Sequence, residues 1–360
     1  MSGLTALGIP GGEARIRSDL DRIIRDVRDA AHGDTLAGVV LLGGYARGEG
    51  AVVEMDDGTW RGFNDYDLLL VFEGEPADRA MYAALSKSLA ADLEIDFVDL
   101  GIALRDELVD PPATLFWFEL GEIGKVLWQD AESADVVIPR IDPGTIPGAE
   151  EGAMLLLNRG MALLWAGARL WGDPPPALPD VAFSVIAAHK VVLAAGDAHL
   201  LAQGTYSVYQ AERRARLESE PPSWAGDGFG AAYAAACEFR RSPAPTTVEA
   251  CRELWVRSRD HHEAGFRHLE NLRLRTTLAR WEDHSRRSRD AAYRRRLGSP
   301  RGVASAIRRR LRGGAVIPPT DLFFGRLSGL LYGPSPADWS SSDLAAWKSR
   351  AMELVQQWHP

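Results

Sequence analysis

The sequence predicts an α+β chain in two parts, a small mixed sheet with helices over residues 1–145 and an all-α part over residues 146–360. Apolar runs of strand length alternate with helix-patterned segments in the first part. A Pro/Gly-rich stretch at 141–148 then interrupts the chain, as linkers between domains do. Beyond it strand patterns vanish, and long segments rich in Ala, Leu and Arg take over.

Taken in order, residues 13–31 carry Ile16, Leu20, Ile23, Ile24 and Val27 at helical spacing, the mark of an amphipathic first helix. Residues 37–42 form an apolar run that ends in Gly43-Gly44, a buried strand running into a tight turn. Residues 52–55 and 59–63 flank Asp56-Asp57-Gly58. An Asp-Gly pair suits a hairpin turn that needs positive φ. Residues 68–72 read as the next strand, 77–91 as a helix, 94–103 as a third strand and 125–129 as a fourth. In the second part, residues 150–171, 181–203, 207–218, 247–281 and 284–312 have helical composition, separated by proline runs at 174–176 and 221–222. No internal repeat is visible, so a bundle is expected rather than a solenoid.

With 46% hydrophobic and 25% charged residues, a chain of this length buries a core of its own. No apolar run approaches the roughly 18 residues of a membrane span. The segment before Glu13 lacks the basic start of a leader, so a cytoplasmic protein without a membrane partner is expected. Cys237 and Cys251 are too few for a disulfide framework and lack zinc-site spacing, which makes both reduced thiols in or near a core. Charge is unevenly divided. Residues 1–150 hold 29 Asp and Glu against 12 Lys and Arg, whereas residues 252–312 hold 18 Arg against 7 acids.

Chemistry concentrates in the acidic part. Asp65 and Asp67 in Asp65-Tyr66-Asp67, and Asp96 in Glu94-Ile95-Asp96-Phe97, lie in or beside apolar runs downstream of the Gly-rich turn. Burying an unpaired carboxylate costs several kcal/mol by order of magnitude, so the pattern implies a compensating cation. Residues i and i+2 of a strand share a face, which lets Asp65 and Asp67 ligate together. In the plainer alternative, Gly43-Gly44 is an ordinary strand-to-helix turn and the acids are solvated at strand ends.

The ordered combination Leu41-Leu42-Gly43-Gly44, then Asn64-Asp65-Tyr66-Asp67-Leu68-Leu69-Leu70-Val71, then Glu94-Ile95-Asp96-Phe97 resembles the nucleotidyltransferase superfamily. That group includes DNA polymerase beta, CCA-adding enzymes and aminoglycoside nucleotidyltransferases. The resemblance covers residues 37–103. It implies a polymerase beta-like fold, two Mg²⁺ ions held by Asp65, Asp67 and Asp96, and transfer of a nucleoside monophosphate from an NTP such as ATP to a hydroxyl acceptor, with a small molecule favoured. By the same resemblance Asp96 ligates the hydroxyl-side metal or accepts the proton, and Gly43 and Gly44 cradle the phosphates. Arg47 and Lys190 are implied as further triphosphate contacts.

The pattern departs from the family in two places. Between Gly44 and Asp65 lie 20 residues, longer than the family's usual gap, and the hairpin must absorb them. Gly44 also stands where many members have a phosphate-contacting serine, so backbone amides would do that work. Glu49 is expected to be an internal partner of Arg47, and Asp99, at odd spacing from Asp96, to be solvated. Small-substrate members close a helical domain over the nucleotide, for which His189, Asp197, Tyr206, Tyr209, Arg213 and Arg214 are candidates beside Lys190.

A rival reading starts from the arginines. Arg273-Leu274-Arg275, Arg286-Arg287, Arg294-Arg295-Arg296 and Arg308-Arg309-Arg310 form a pattern that can track a nucleic-acid backbone. The alternative function is then a non-catalytic or regulatory module that holds RNA or a protein partner through these helices. Thin aromatic interleaving and the acidic first part weigh against nucleic acid. Arg257 to His262 also fits the Arg-x4-His motif of helical ribonuclease domains. No residue is assignable to reading a base edge, and nothing in the sequence fixes the acceptor or the oligomeric state.

Overall fold

The computed structural model describes residues 3–32, 35–139, 146–172, 174–278, 280–281, 284, 319–333, 336 and 339–358. The chain divides into two compact units. The first comprises Met1–Pro147 together with two later segments, Ser207–Glu212 and Cys237–Ala244; the second comprises Gly148–Tyr206, Arg213–Ala236 and Pro245–Pro360.

In the first unit, α1 (Pro10–Ala30) opens on a proline, has Glu13 in its first turn and buries Ile16, Leu20, Ile23 and Val27 along one stripe. Both terminal choices suit a helix start, where a missing N–H costs nothing and a negative charge meets the dipole. The strand β1 (Leu36–Leu41) is buried at every position and runs into the short helix α2 (Gly43–Arg47). The expected hairpin is present as β2 (Val52–Glu54) and β3 (Trp60–Gly62), paired antiparallel, with Gly58 at φ 79° in its turn. Next come β4 (Asp65–Phe72), α3 (Arg79–Leu93), β5 (Phe97–Leu104), α4 (Leu115–Ile123) and β6 (Lys125–Gln129). Asp78 caps α3 by accepting from the amides of Ala80 and Met81, which satisfies two donors a helix start leaves unpaired.

These strands form one sheet in the order β5-β4-β1-β6. Helix α3 crosses over between β4 and β5, which pair parallel, whereas β1 pairs antiparallel with β4 and β6. Tyr66 donates a 2.7 Å hydrogen bond to buried Asp19 of α1, so the even positions of β4 face that helix. The odd positions face the other way. On that second side Leu69 and Val71 pack with Val40, Ala103 and Leu120, and with Trp117 of α4. Helix α4 packs on this cluster, and Asp65 and Asp67 precede it along the same face of β4.

The second unit is helical, with α5 (Ala149–Leu170), α6 (Leu178–Gln203), most of α7 (Gln210–Ser219) and α8 (Phe229–Arg241), then α9 (Val248–Leu274), α10 (Pro319–Leu331) and α11 (Ser341–Trp358). The expected helix 247–281 ends early, because Arg275 adopts φ 50° and closes α9. The expected helix 284–312 lies outside the described residues apart from His284. Helix α6 corrects the expectation that no apolar run approaches a membrane span. Its 26 residues reach a mean hydropathy of 1.5 over the most apolar window, and 61% of that window is buried, where α6 packs on α5 and α9.

Small residues let these helices meet closely: the Cβ that Gly152 lacks would sit 3.2 Å from Cα of Ala198. Trp255 is fully buried, donates its ring N–H to the Leu163 carbonyl at 2.8 Å and meets Trp171 edge-on at 4.8 Å. Trp255→Ala should therefore destabilise the chain by about 3–5 kcal/mol, read as a lower midpoint in urea unfolding.

Candidate functional site

Strand β4 starts where Asn64, at φ 72°, swings the chain out of the hairpin segment. Asp65 and Asp67 are half-buried, on the face opposite Tyr66. In the parallel register of β4 and β5, Asp65 lies across from Phe97 and Asp67 across from Asp99. Residues directly across a sheet share a face, so Asp99 joins Asp65 and Asp67. It is exposed, as expected. Surrounding protein raises the Asp99 pKa, and the charge of Asp65 raises it further. Asp96 is exposed one residue before β5, next to the point where the Phe97 amide donates to the Asn64 carbonyl at 3.1 Å. It stands at the mouth of the strand, not on the register shared by the other three. Phe97, 54% exposed, is an aromatic ring on the acid face that sequence reasoning did not single out.

The Gly-rich turn touches Asp67. Gly43 adopts φ 64°, and a Cβ there would stand 2.8 Å from Cγ of Asp67 and 3.2 Å from its Cβ. The amide of Leu42 donates to the Asp67 carbonyl at 2.9 Å, tying the end of β1 to the same residue. A Cβ on Gly44 would meet Nη2 of Arg240 at 3.5 Å. Tyr45 anchors the turn from below, donating to the Ala51 carbonyl at 2.7 Å and accepting from the Phe63 amide at 3.0 Å. Burial pushes the Tyr45 pKa up, and the charges of Asp65, Asp19 and Asp67 push it further, so the hydroxyl remains a donor.

Arg47, its side chain 6% exposed, pairs with Glu49 at 3.0 Å and Glu119 at 3.6 Å. Glu49 is thus the internal partner expected of it, and its other oxygen accepts from the Gln210 amide at 2.8 Å. Both later segments of the first unit therefore reach the turn, one through Glu49 and the other through Arg240. Lys190 lies half-buried on α6 of the second unit. Among the described residues, no three His, Cys, Asp or Glu side chains are gathered closely enough to form a ready metal shell.

Several residues of the rival constellations have partners within the chain. In the second unit Arg213 pairs with Asp197 at 2.9 Å and lies over the ring of buried Tyr206 at 5.2 Å, while Tyr233 donates to Asp197 at 2.8 Å. Tyr209 is exposed, and burial lowers the His189 pKa to about 4. Along α9, Arg252 donates to the Leu170 carbonyl, and Arg257, Arg259, Arg267 and Arg273 pair with Glu253, Asp260, Glu263 and Glu270. The arginine runs at 286–287, 294–296 and 308–310 lie outside the described residues.

His262, the histidine of the Arg-x4-His motif, is fully buried. Its Nε2 lies 3.0 Å from the Leu156 carbonyl and its Nδ1 2.7 Å from the Tyr332 hydroxyl. A carbonyl only accepts, so Nε2 carries the proton and Nδ1 accepts from Tyr332. Burial brings the His262 pKa down to about 4. The folded protein then holds fewer protons than the unfolded chain between pH 6.5 and 4, and stability present above pH 6.5 drains away across that window, by on the order of 3 kcal/mol. Urea unfolding across pH 4–7 should show the decline, and His262→Gln should flatten it.

The chain matches no protein-family model, and no curated protein matches it.

Proposed function

We propose that the chain is a Mg²⁺-dependent nucleotidyltransferase, moving a nucleoside monophosphate from an NTP to a hydroxyl, most simply that of a small molecule. The observation that carries this reading is the contact between Asp67 and the left-handed Gly43 turn, on the face Asp67 shares with Asp65 and Asp99. A glycine turn against paired carboxylates brings a phosphate-binding backbone beside a cation-binding face.

The donor set suits Mg²⁺, a hard cation that takes carboxylate oxygens and keeps several waters. Asp65 and Asp67 would hold it, with Asp99 in the third place expected for Asp96. Bound there, the metal supplies charge neutralisation for the phosphates and a lower pKa for the attacking hydroxyl. The chain's own work is positional. Gly43 keeps the space beside Asp67 clear of side-chain atoms, and Tyr45 fixes the loop between turn and strand through its bonds to Ala51 and Phe63. The rival in which Arg-rich helices hold RNA draws little support from Arg252, Arg259, Arg267 and Arg273 of α9, each bonded within the chain.

The test is Mg²⁺-dependent binding and pyrophosphate release with each of the four NTPs, comparing the wild type with Asp65→Asn/Asp67→Asn. Binding and release lost in the double variant support the reading; no binding by either protein sinks it. Single variants decide the third carboxylate, since Asp99→Asn should lower turnover more than Asp96→Asn.

A further inference from the structure

We infer that Arg240 is a ligand for the phosphate chain of the nucleotide at the Gly43-Gly44 turn, an assignment that rests on the nucleotide reading above. Its guanidinium lies beside Gly44, with Nη2 3.5 Å from where a Cβ on Gly44 would stand. Gly44 brings no side-chain donor of its own. Arg240 brings a planar fork of N–H donors that matches phosphate oxygens two at a time.

Its placement is anchored independently of any nucleotide. Residues 237–244 belong to the first unit although residues 148–236 separate them from Pro147 in sequence. Phe239 meets Phe63 edge-on at 5.8 Å, and Phe63 sits two residues before Asp65. The ring contact therefore sets the last turn of α8 against the segment that leads into the carboxylate strand, and Arg240 follows it to the turn. Carboxylates thus lie on the Gly43 side of the turn and a guanidinium on the Gly44 side, the polarity a Mg²⁺-bound phosphate chain requires.

A purely structural Arg240, balancing the charge of nearby acids, would influence stability without regard to how many phosphates a ligand carries. The deciding experiment is titration calorimetry with Mg²⁺ and the NTP that binds tightest, with inorganic pyrophosphate, and with the matching nucleoside, on the wild type, Arg240→Gln and Arg240→Lys. Arg240→Gln should weaken NTP and pyrophosphate about tenfold or more, as expected on losing charge-assisted bonds, and leave the nucleoside unchanged. Arg240→Lys, which keeps the charge and loses the fork, should fall between and answers the question should Arg240→Gln fail to fold. Variants that bind NTP and pyrophosphate as the wild type does overturn the role of Arg240 alone. A wild type that binds none of the four NTPs overturns the nucleotide reading, and this assignment with it.

Discussion

Asp67→Asn is expected to reduce pyrophosphate release by about 10³-fold or more, the scale of losing a group that acts on charge developing in the transition state. Asp67 lies against Gly43 and across from Asp99, so the substitution removes one of three negative charges from a single face. Like charges so placed repel one another, and removing one relieves the fold. The melting temperature should hold or rise. Loss of turnover at unchanged stability would locate the chemistry at this face, whereas full activity in the variant would end the assignment.

Gly43→Ala should damage both activity and stability. A left-handed φ costs a residue with a Cβ about 1–2 kcal/mol, and at φ 64° the new methyl would also drive into the Asp67 carboxylate. Displacing a catalytic group by about 1 Å can cost roughly 10²-fold in rate. Gly58→Ala is the matched control, because Gly58 also has positive φ, at 79°, but nothing lies within 4 Å of its missing Cβ. It should lose a similar amount of stability to backbone strain and keep its turnover, read by thermal unfolding beside pyrophosphate release.

Where the local pattern is strong, the first unit was legible in the sequence. β1, the hairpin around Gly58, β4, α3 and β6 all fall where apolar runs and turn residues put them. Helix α4 escaped notice because Leu115, Phe116, Trp117, Phe118 and Leu120 are apolar all round, which leaves no amphipathic period to read. Helix α8 buries Phe229, Tyr233, Ala236 and Cys237 at helical spacing, a short stripe that the alanines between 231 and 236 make hard to read.

The candidate site was legible in part. Asp65, Asp67 and the glycine turn could be found from spacing alone. Asp99 could not, since its face depends on β5 starting at Phe97 and on a register against β4, and counting residues from Asp96 supplies neither. Arg240 was hidden more deeply. It follows Gly44 by nearly two hundred residues, in a segment whose composition resembles any helix end, and only the folded chain brings the two together.

The return of Ser207–Glu212 and Cys237–Ala244 to the first unit bears on how the protein is made. A ribosome adding roughly 5–20 residues per second needs roughly 5–20 s to travel from Pro147 to Ala244. Through that interval the emerging sheet carries its acids and its glycine turn without the Gln210 amide for Glu49 or the guanidinium beside Gly44. The nascent chain therefore passes through a stage in which the first unit is nearly whole in sequence order yet missing two of its pieces. Substitutions that slow docking of the 237–244 segment should lower the yield of correctly folded protein in cells more than they lower the stability of the finished molecule.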